Sequence, residues 1–204
     1  MNPIMHPDTC FETIRIEEGV AAHLSYHNAR LNQTRKALYG VEELIDLGEY
    51  LQEIPPKGLY RAKVIYDQKS IKTNYYIYKP KIIEKIKIIE AEVSYAHKYL
   101  DREVLERLLA SAEGYDEILI TQNGYLTDTS IANIALRQDG IWYTPATPLL
   151  PGTTRARLID EKKIIPRDIH HTELPQYQEI ALMNAMTGFS TQKHPPHSPP
   201  TPSC

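Results

Sequence analysis

Four stretches of this chain carry residue types that could do chemistry. In "AHKYLDREVLERLL" (96–109), Lys98 stands just ahead of a helix: Asp101 is a good N-cap, Glu103 suits the positive first turn, and Val104, Leu105, Leu108 and Leu109 make an apolar stripe. Upstream, "KIKIIEAEV" (85–93) has the period-two alternation of a strand. Lys98 therefore occupies a strand-to-helix junction. Asp128, in "GYLTDTSIANIAL" (124–136), falls at a strand end and is followed by Thr129, Ser130 and Asn133. His27 and Arg30, in "HLSYHNARLNQ" (23–33), are three apart and share a helix face, from which an arginine can clamp a phosphate or carboxylate bidentately. In "LLPGTTR" (149–155), Pro151 and Gly152 make a tight turn, and Thr153, Thr154 and Arg155 open a helix whose unsatisfied N–H groups favour an anion.

Taken singly, each has an ordinary reading. Lysines and arginines are mostly solvated, an aspartate at a strand end usually makes a turn, and most helix starts bind nothing. Together they are the parts that pyridoxal phosphate chemistry needs. A lysine amine bonds the cofactor covalently, a carboxylate holds the proton on the pyridine nitrogen so that the ring accepts electrons, and an arginine and a helix N-terminus hold the phosphate.

The elements that must position these residues follow from periodicity. "CFETIRI" (10–16) predicts a strand, and "EEG" then "VAAHL" complete a hairpin. Two helices are expected next: "YHNARLNQTRKALY" (26–39), capped by Ser25 and closed by Gly40, and "VEELIDLGEYLQEI" (41–54), stopped by Pro55-Pro56. "GLYRAKVIYD" and "SIKTNYYIYK" form a second hairpin around Gln68-Lys69. The expected fold class is α+β, with a small α+β layer domain over 1–80 and a larger mixed-sheet, cofactor-binding domain over 81–190, the boundary lying at Pro80-Lys81. Within the larger domain, Asn123-Gly124 joins "EILITQ" to "YLTDTS" and Asp139-Gly140 joins "NIALR" to "IWYTP" as hairpins. A helix from "TTR", a strand at "KKIIP" and the apolar "EIALMNAM" follow, and the Pro-rich 191–204 is expected to be a disordered tail.

The chain has 204 residues, 42% hydrophobic and 24% charged, with a net charge of −3. That balance argues against a nucleic-acid footprint or a polybasic membrane anchor and favours a small-molecule partner. No leader or long apolar run is read, no metal-ligand set is singled out, and a cytoplasmic setting is expected.

The order "FETIR", "HNARLN", "HKYLDR", "YDEILI…NGYLTDTSIANI", "TP…LLPGTTR" and "IALMNAM" resembles the class IV aminotransferase family of pyridoxal phosphate enzymes over residues 11–189. That resemblance implies pyridoxal 5'-phosphate as cofactor, with Lys98 as both the catalytic and the cofactor-bearing lysine. It places Arg30 and the turn Gly152, Thr153 and Thr154 on the phosphate, and Asp128 where the family usually has a glutamate facing the pyridine nitrogen. The glycine-rich loop after the first-domain hairpin strand is replaced here by "DQKS", and the strand and turn that precede "FETIR" in the family are not read. "HKYLDR" and "MNAM" are similar to aminodeoxychorismate lyase, which eliminates pyruvate from an amine substrate to give 4-aminobenzoate for folate biosynthesis. Arg15, Arg61 and His97 are then candidates for the substrate carboxylates. The alternatives are an aminotransferase acting on branched-chain or D-amino acids, and a cofactor-binding protein that has lost catalysis. The resemblance also implies a homodimer.

Overall fold

The computed structural model of the chain describes residues 9–192. Period-two patterning dictates its first sheet. In strand β1 (Cys10–Glu17) and strand β3 (Leu59–Tyr66), Cys10, Ile14, Ile16, Ala62, Val64 and Tyr66 all turn to one buried face. β1 pairs antiparallel with β3 along its whole length and with the short β2 (Val20–Ala21), and β3 pairs with β4 (Ile71–Ile77), so the order is β2-β1-β3-β4. Helix α1 (Leu24–Tyr39) contributes Leu31 to the same core.

Three expectations about this region are tested, and two are corrected. His23, in the left-handed region at φ 55°, is the residue before α1, and Ser25 lies inside the helix. Gly40 does close α1, donating its N–H to Lys36 O at φ 67°, where a β-carbon would be strained. The second helix over 41–54 does not form; only a 3-10 turn at Leu47–Tyr50 is present. Side chains of α1 account for this. Asn32 exchanges two hydrogen bonds with the backbone of Ile45, and Asn28 Oδ1 accepts from Leu47 N, so the segment's polar backbone is satisfied in an extended path.

The second sheet uses β5 (Ile86–Glu90), β6 (Glu117–Gln122), β7 (Tyr125–Thr129), β8 (Asn133–Gln138), β9 (Ile141–Pro145) and β10 (Ile165–Arg167) in the spatial order β10-β9-β8-β7-β6-β5. β11 (Glu179–Asn184) joins through β8 and carries β12 (Gly188–Gln192). β5–β6 and β9–β10 are parallel and the other pairs antiparallel, a mixed sheet. Leu119, Ile134, Leu136, Ile180 and Leu182 fill one core, and helix α3 (Thr153–Asp160) packs Leu158 with Ala135 and Met183 in another. Helix α2 (Glu103–Ala110) buries Leu105. Thr191 and Gln192 belong to β12, a correction to the tail expected from 191; the remaining 193–204 lie outside the described residues. Among the described residues, no helix is long and apolar enough to cross a membrane.

Contacts divide the chain into two units. One takes the residues up to Pro80 together with His97–Arg102; the other takes Lys81–Ala96 and the chain from Glu103. The lysine segment, although it follows Pro80-Lys81 in sequence, belongs to the first of these units. Its backbone extends the edge of β1: Phe11 N donates to Lys98 O at 2.9 Å, Leu100 N donates to Thr9 O at 2.8 Å, and Tyr99 bridges Cys10.

Candidate active site

The first unit holds Lys98, Arg30, Arg15, Arg61 and His97. The backbone bond from Phe11 fixes the Lys98 carbonyl, and its side chain places Nζ 4.7 Å from the Phe11 ring centroid, over the negative face of the ring. Lys98 is half-buried. His97 packs edge-on against Tyr99 at 5.8 Å. Arg15 and Arg61 are directly opposed in the β1–β3 register, on the face away from the core.

On the core side of β1, a buried carboxylate organises the phosphate candidate. Glu12 accepts from Arg30 Nε at 2.8 Å and Nη2 at 2.5 Å, and its Oε2 lies 2.7 Å from His27 Nδ1. Burial alone would raise the Glu12 carboxyl, but the Arg30 charge and the hydrogen bonds from His27 and Arg30 outweigh it and hold the group at about 2. Arg30 is thus aimed by a fixed two-pronged contact. Two of its N–H donors, Nε and Nη2, go to Glu12. Sequence reasoning missed Glu12, although period two puts it in line with Cys10, Ile14 and Ile16, and an acid on an apolar face is itself a signal.

The second unit holds Asp128, Gly152, Thr153 and Thr154. Asp128 lies near the end of β7, 4% exposed, where Oδ1 accepts from Asn133 Nδ2 at 2.7 Å and Oδ2 from Leu150 N at 2.8 Å. Burial pushes its carboxyl up to about 7, against the opposing pull of these hydrogen bonds and the Arg155 charge. Asn133 Nδ2 also donates to Leu150 O at 2.8 Å, tying the acid to the turn ahead of α3. Gly152 is the residue before that helix, and Thr153 and Thr154 are buried in its first turn. A carboxylate oxygen has two lone pairs, so Asp128 can hold Asn133 and Leu150 and still meet a pyridine nitrogen. These groups fit the two ends of pyridoxal phosphate. Asn133 is the residue whose importance only the structure brings out.

Asp128 implies a pH dependence with a definite sign. Because its folded value lies above the ordinary 3.8, the folded protein holds the proton more tightly than the unfolded chain. Its contribution to stability is fully present below the unfolded value and is lost as pH rises through about 7. Without cofactor, the free energy of unfolding should fall by roughly 2–3 kcal/mol between about pH 5 and about pH 8. Urea titrations across that range measure it. Asp128→Asn should flatten the slope, and an unchanged slope in that variant removes Asp128 as its source.

Gly152 is required for closeness, not for φ, which is −72°. A β-carbon there would overlap Asn133 Oδ1 outright, and the Asn133 amide is held by Asp128 and Leu150. Gly152→Ala should therefore lower stability by about 2 kcal/mol or more in chemical denaturation. A variant as stable as wild type would show that the turn yields easily.

The α+β fold has two units, one carrying a lysine at an aromatic ring and the other a buried acid beside a helix N-terminus, residue types that pyridoxal phosphate chemistry uses. Residues 65–191 match the amino-transferase class IV family, and the chain belongs to it. A Haemophilus somnus 129PT protein provisionally assigned as a 4-amino-4-deoxychorismate lyase is 37% identical, with a TM-score of 0.83 over 90% of this chain and 99% of that one. An uncharacterised Haemophilus influenzae protein is 35% identical over 88% of this chain and 98% of its own length. The fold is shared with a fold IV transaminase from Curtobacterium pusillum, 19% identical, with a TM-score of 0.72 over 94% of this chain and 80% of that one.

Proposed function

We propose that the chain is a pyridoxal-phosphate-dependent 4-amino-4-deoxychorismate lyase, releasing pyruvate and 4-aminobenzoate. The observation that carries this reading is the opposed pair Arg15 and Arg61 on the open face of the sheet whose β1 also sets Lys98. Arg15 is paired with Glu17, Nη2 lying 3.0 Å from Oε1, whereas Arg61 has no carboxylate partner among the described residues and is the guanidinium that a substrate carboxylate would meet. The 37% identical Haemophilus somnus protein supports the same choice.

Bound pyridoxal phosphate would supply an electron sink beside the substrate nitrogen. In this reading Arg30, aimed by Glu12, would grip the phosphate, a role the family resemblance also gives to the N–H groups of Thr153 and Thr154. Asp128 would hold a proton at the ring nitrogen. The Lys98 amine would hold the cofactor and, as a neutral amine, would take the proton from the substrate ring carbon that bears the substrate nitrogen. The C–H electron pair would then complete the aromatic ring as the C–O bond to the enolpyruvyl group breaks, and the departing enolpyruvate would take up a proton to become pyruvate. Arg15, Arg61 and His97 orient the carboxylates.

Incubation with 4-amino-4-deoxychorismate, followed by assay of 4-aminobenzoate and pyruvate, tests the reading. Formation of both in equal amounts supports it. Consumption of a branched-chain or D-amino acid with a keto acid instead makes the protein an aminotransferase, and inertness to all of these with cofactor bound makes it a degenerate binder. The proposal extends to a cytoplasmic homodimer, for which light scattering over a dilution series should give twice the chain mass. A constant single-chain mass would remove that part.

A further inference from the structure

We propose that Lys63 is a specificity-determining residue: one row along the sheet from the Arg15–Arg61 pair, it forms a second carboxylate subsite and selects a substrate bearing two carboxylates. The inference deepens the proposed function and rests on Lys98 being the reacting amine.

Lys63 Nζ lies 5.0 Å from the centroid of the Phe11 ring, the ring that Lys98 Nζ approaches at 4.7 Å. Two ammonium groups thus sit against one phenyl ring, which puts the new group within a small substrate's length of the amine that would do the chemistry. Lys63 pairs across the sheet with Thr13 and Asn74, whereas Arg61 pairs with Arg15 and Tyr76, two residues away on the same strand face. Two residues along a strand separate these rows by about 7 Å, a spacing suited to two carboxylates on one compact molecule.

Of the three cations in these rows, Arg15 is paired with Glu17. Among the described residues no carboxylate pairs with Lys63 or Arg61; each instead faces an aromatic ring, Arg61 lying 5.2 Å from the Tyr76 centroid. Arg61 Nε is also buried with no hydrogen-bond partner among the described residues, an unmet donor of a kind folded proteins rarely keep without a use. Burial, then the charges of Arg61 and Arg102, pulls the Lys63 amine below the ordinary lysine range. A carboxylate at Lys63 would offset the repulsive part of that shift, and a first one would meet the Arg61 guanidinium.

Isothermal titration of the cofactor-loaded protein with isophthalate, which has two carboxylates, and with benzoate, which has one, tests the subsite, with the visible cofactor band recorded on each sample. Wild type should bind isophthalate about tenfold or more tighter than benzoate. Lys63→Met keeps the alkyl chain against Phe11 and should erase that preference while leaving benzoate within about twofold; Lys63→Arg should keep it. Absence of the preference in wild type, or its survival in Lys63→Met and in Lys63→Gln, overturns the proposal, and the wild-type arm decides even if a variant does not fold. A band without the preference defeats the subsite and leaves the cofactor reading intact. A Lys63-dependent preference without a band does the reverse.

Discussion

Lys98→Ala is expected to abolish turnover, by at least about 10⁴-fold, and to remove the visible absorption of the cofactor-loaded protein. A general base alone contributes ~10²–10⁴, and this lysine is also assigned the covalent anchor, so both losses fall on one substitution. The fold should survive, because the Lys98 carbonyl that accepts from Phe11 N is retained by alanine. Added alkylamines should restore part of the turnover by returning an amine to the space beside Phe11. Absorbance spectra and product assays of wild type and variant, with and without amine, check this. Undiminished turnover in the variant would move the chemistry to another residue.

The second large effect is expected at Glu12. Glu12→Leu would leave Arg30 and His27 without the carboxylate they share in the core, and breaking a buried ion pair from one side typically costs about 3–5 kcal/mol. The same carboxylate gives an acid limb to the stability profile. Its folded value, about 2, lies below the ordinary 4.5, so its contribution is fully present above 4.5 and is lost as pH falls through about 2. Denaturant titrations at neutral pH measure the first effect. Cofactor titrations of Arg30→Ala measure what Glu12 is positioning: loss of a charge-assisted phosphate contact should weaken affinity by about 2 kcal/mol or more. Unchanged affinity there would make the Glu12–His27–Arg30 cluster purely structural.

Where the sequence was readable, one side chain or one pattern settled the local structure. Asn123-Gly124 and Asp139-Gly140 each place left-handed residues at a two-residue turn, and both hairpins form there. Pro151-Gly152 ahead of two threonines likewise opens α3. What was not readable depended on partners distant in sequence. "VEELIDLGEYLQEI" has helical periodicity, yet Asn28 and Asn32, on a different element that its own periodicity cannot register, claim its backbone instead. Lys98 was recognisable as a junction lysine, but nothing local says that its segment pairs with β1. Lys63 was hidden for a related reason. Alternation shows that it faces away from the core, and only the cross-strand register shows which row it occupies and which cations share it.

The pairing of β1 with residues 97–102 also sets an order of assembly during synthesis. The hairpins and α1 of the first unit are complete once Tyr78 has been made, whereas the backbone partners of Thr9 and Phe11 come from Leu100 and Lys98. At about 5–20 residues per second, the nascent sheet waits on the order of seconds with one edge of β1 exposed. An unpaired strand edge is a template for wrong pairing, so this interval is where a growing chain is most open to mispairing with its neighbours on a polysome. The edge is closed by the same short segment that carries the lysine. A ribosome that stalls before residue 98 therefore leaves a chain whose β1 edge is open, and one that passes residue 102 has made the segment that closes it.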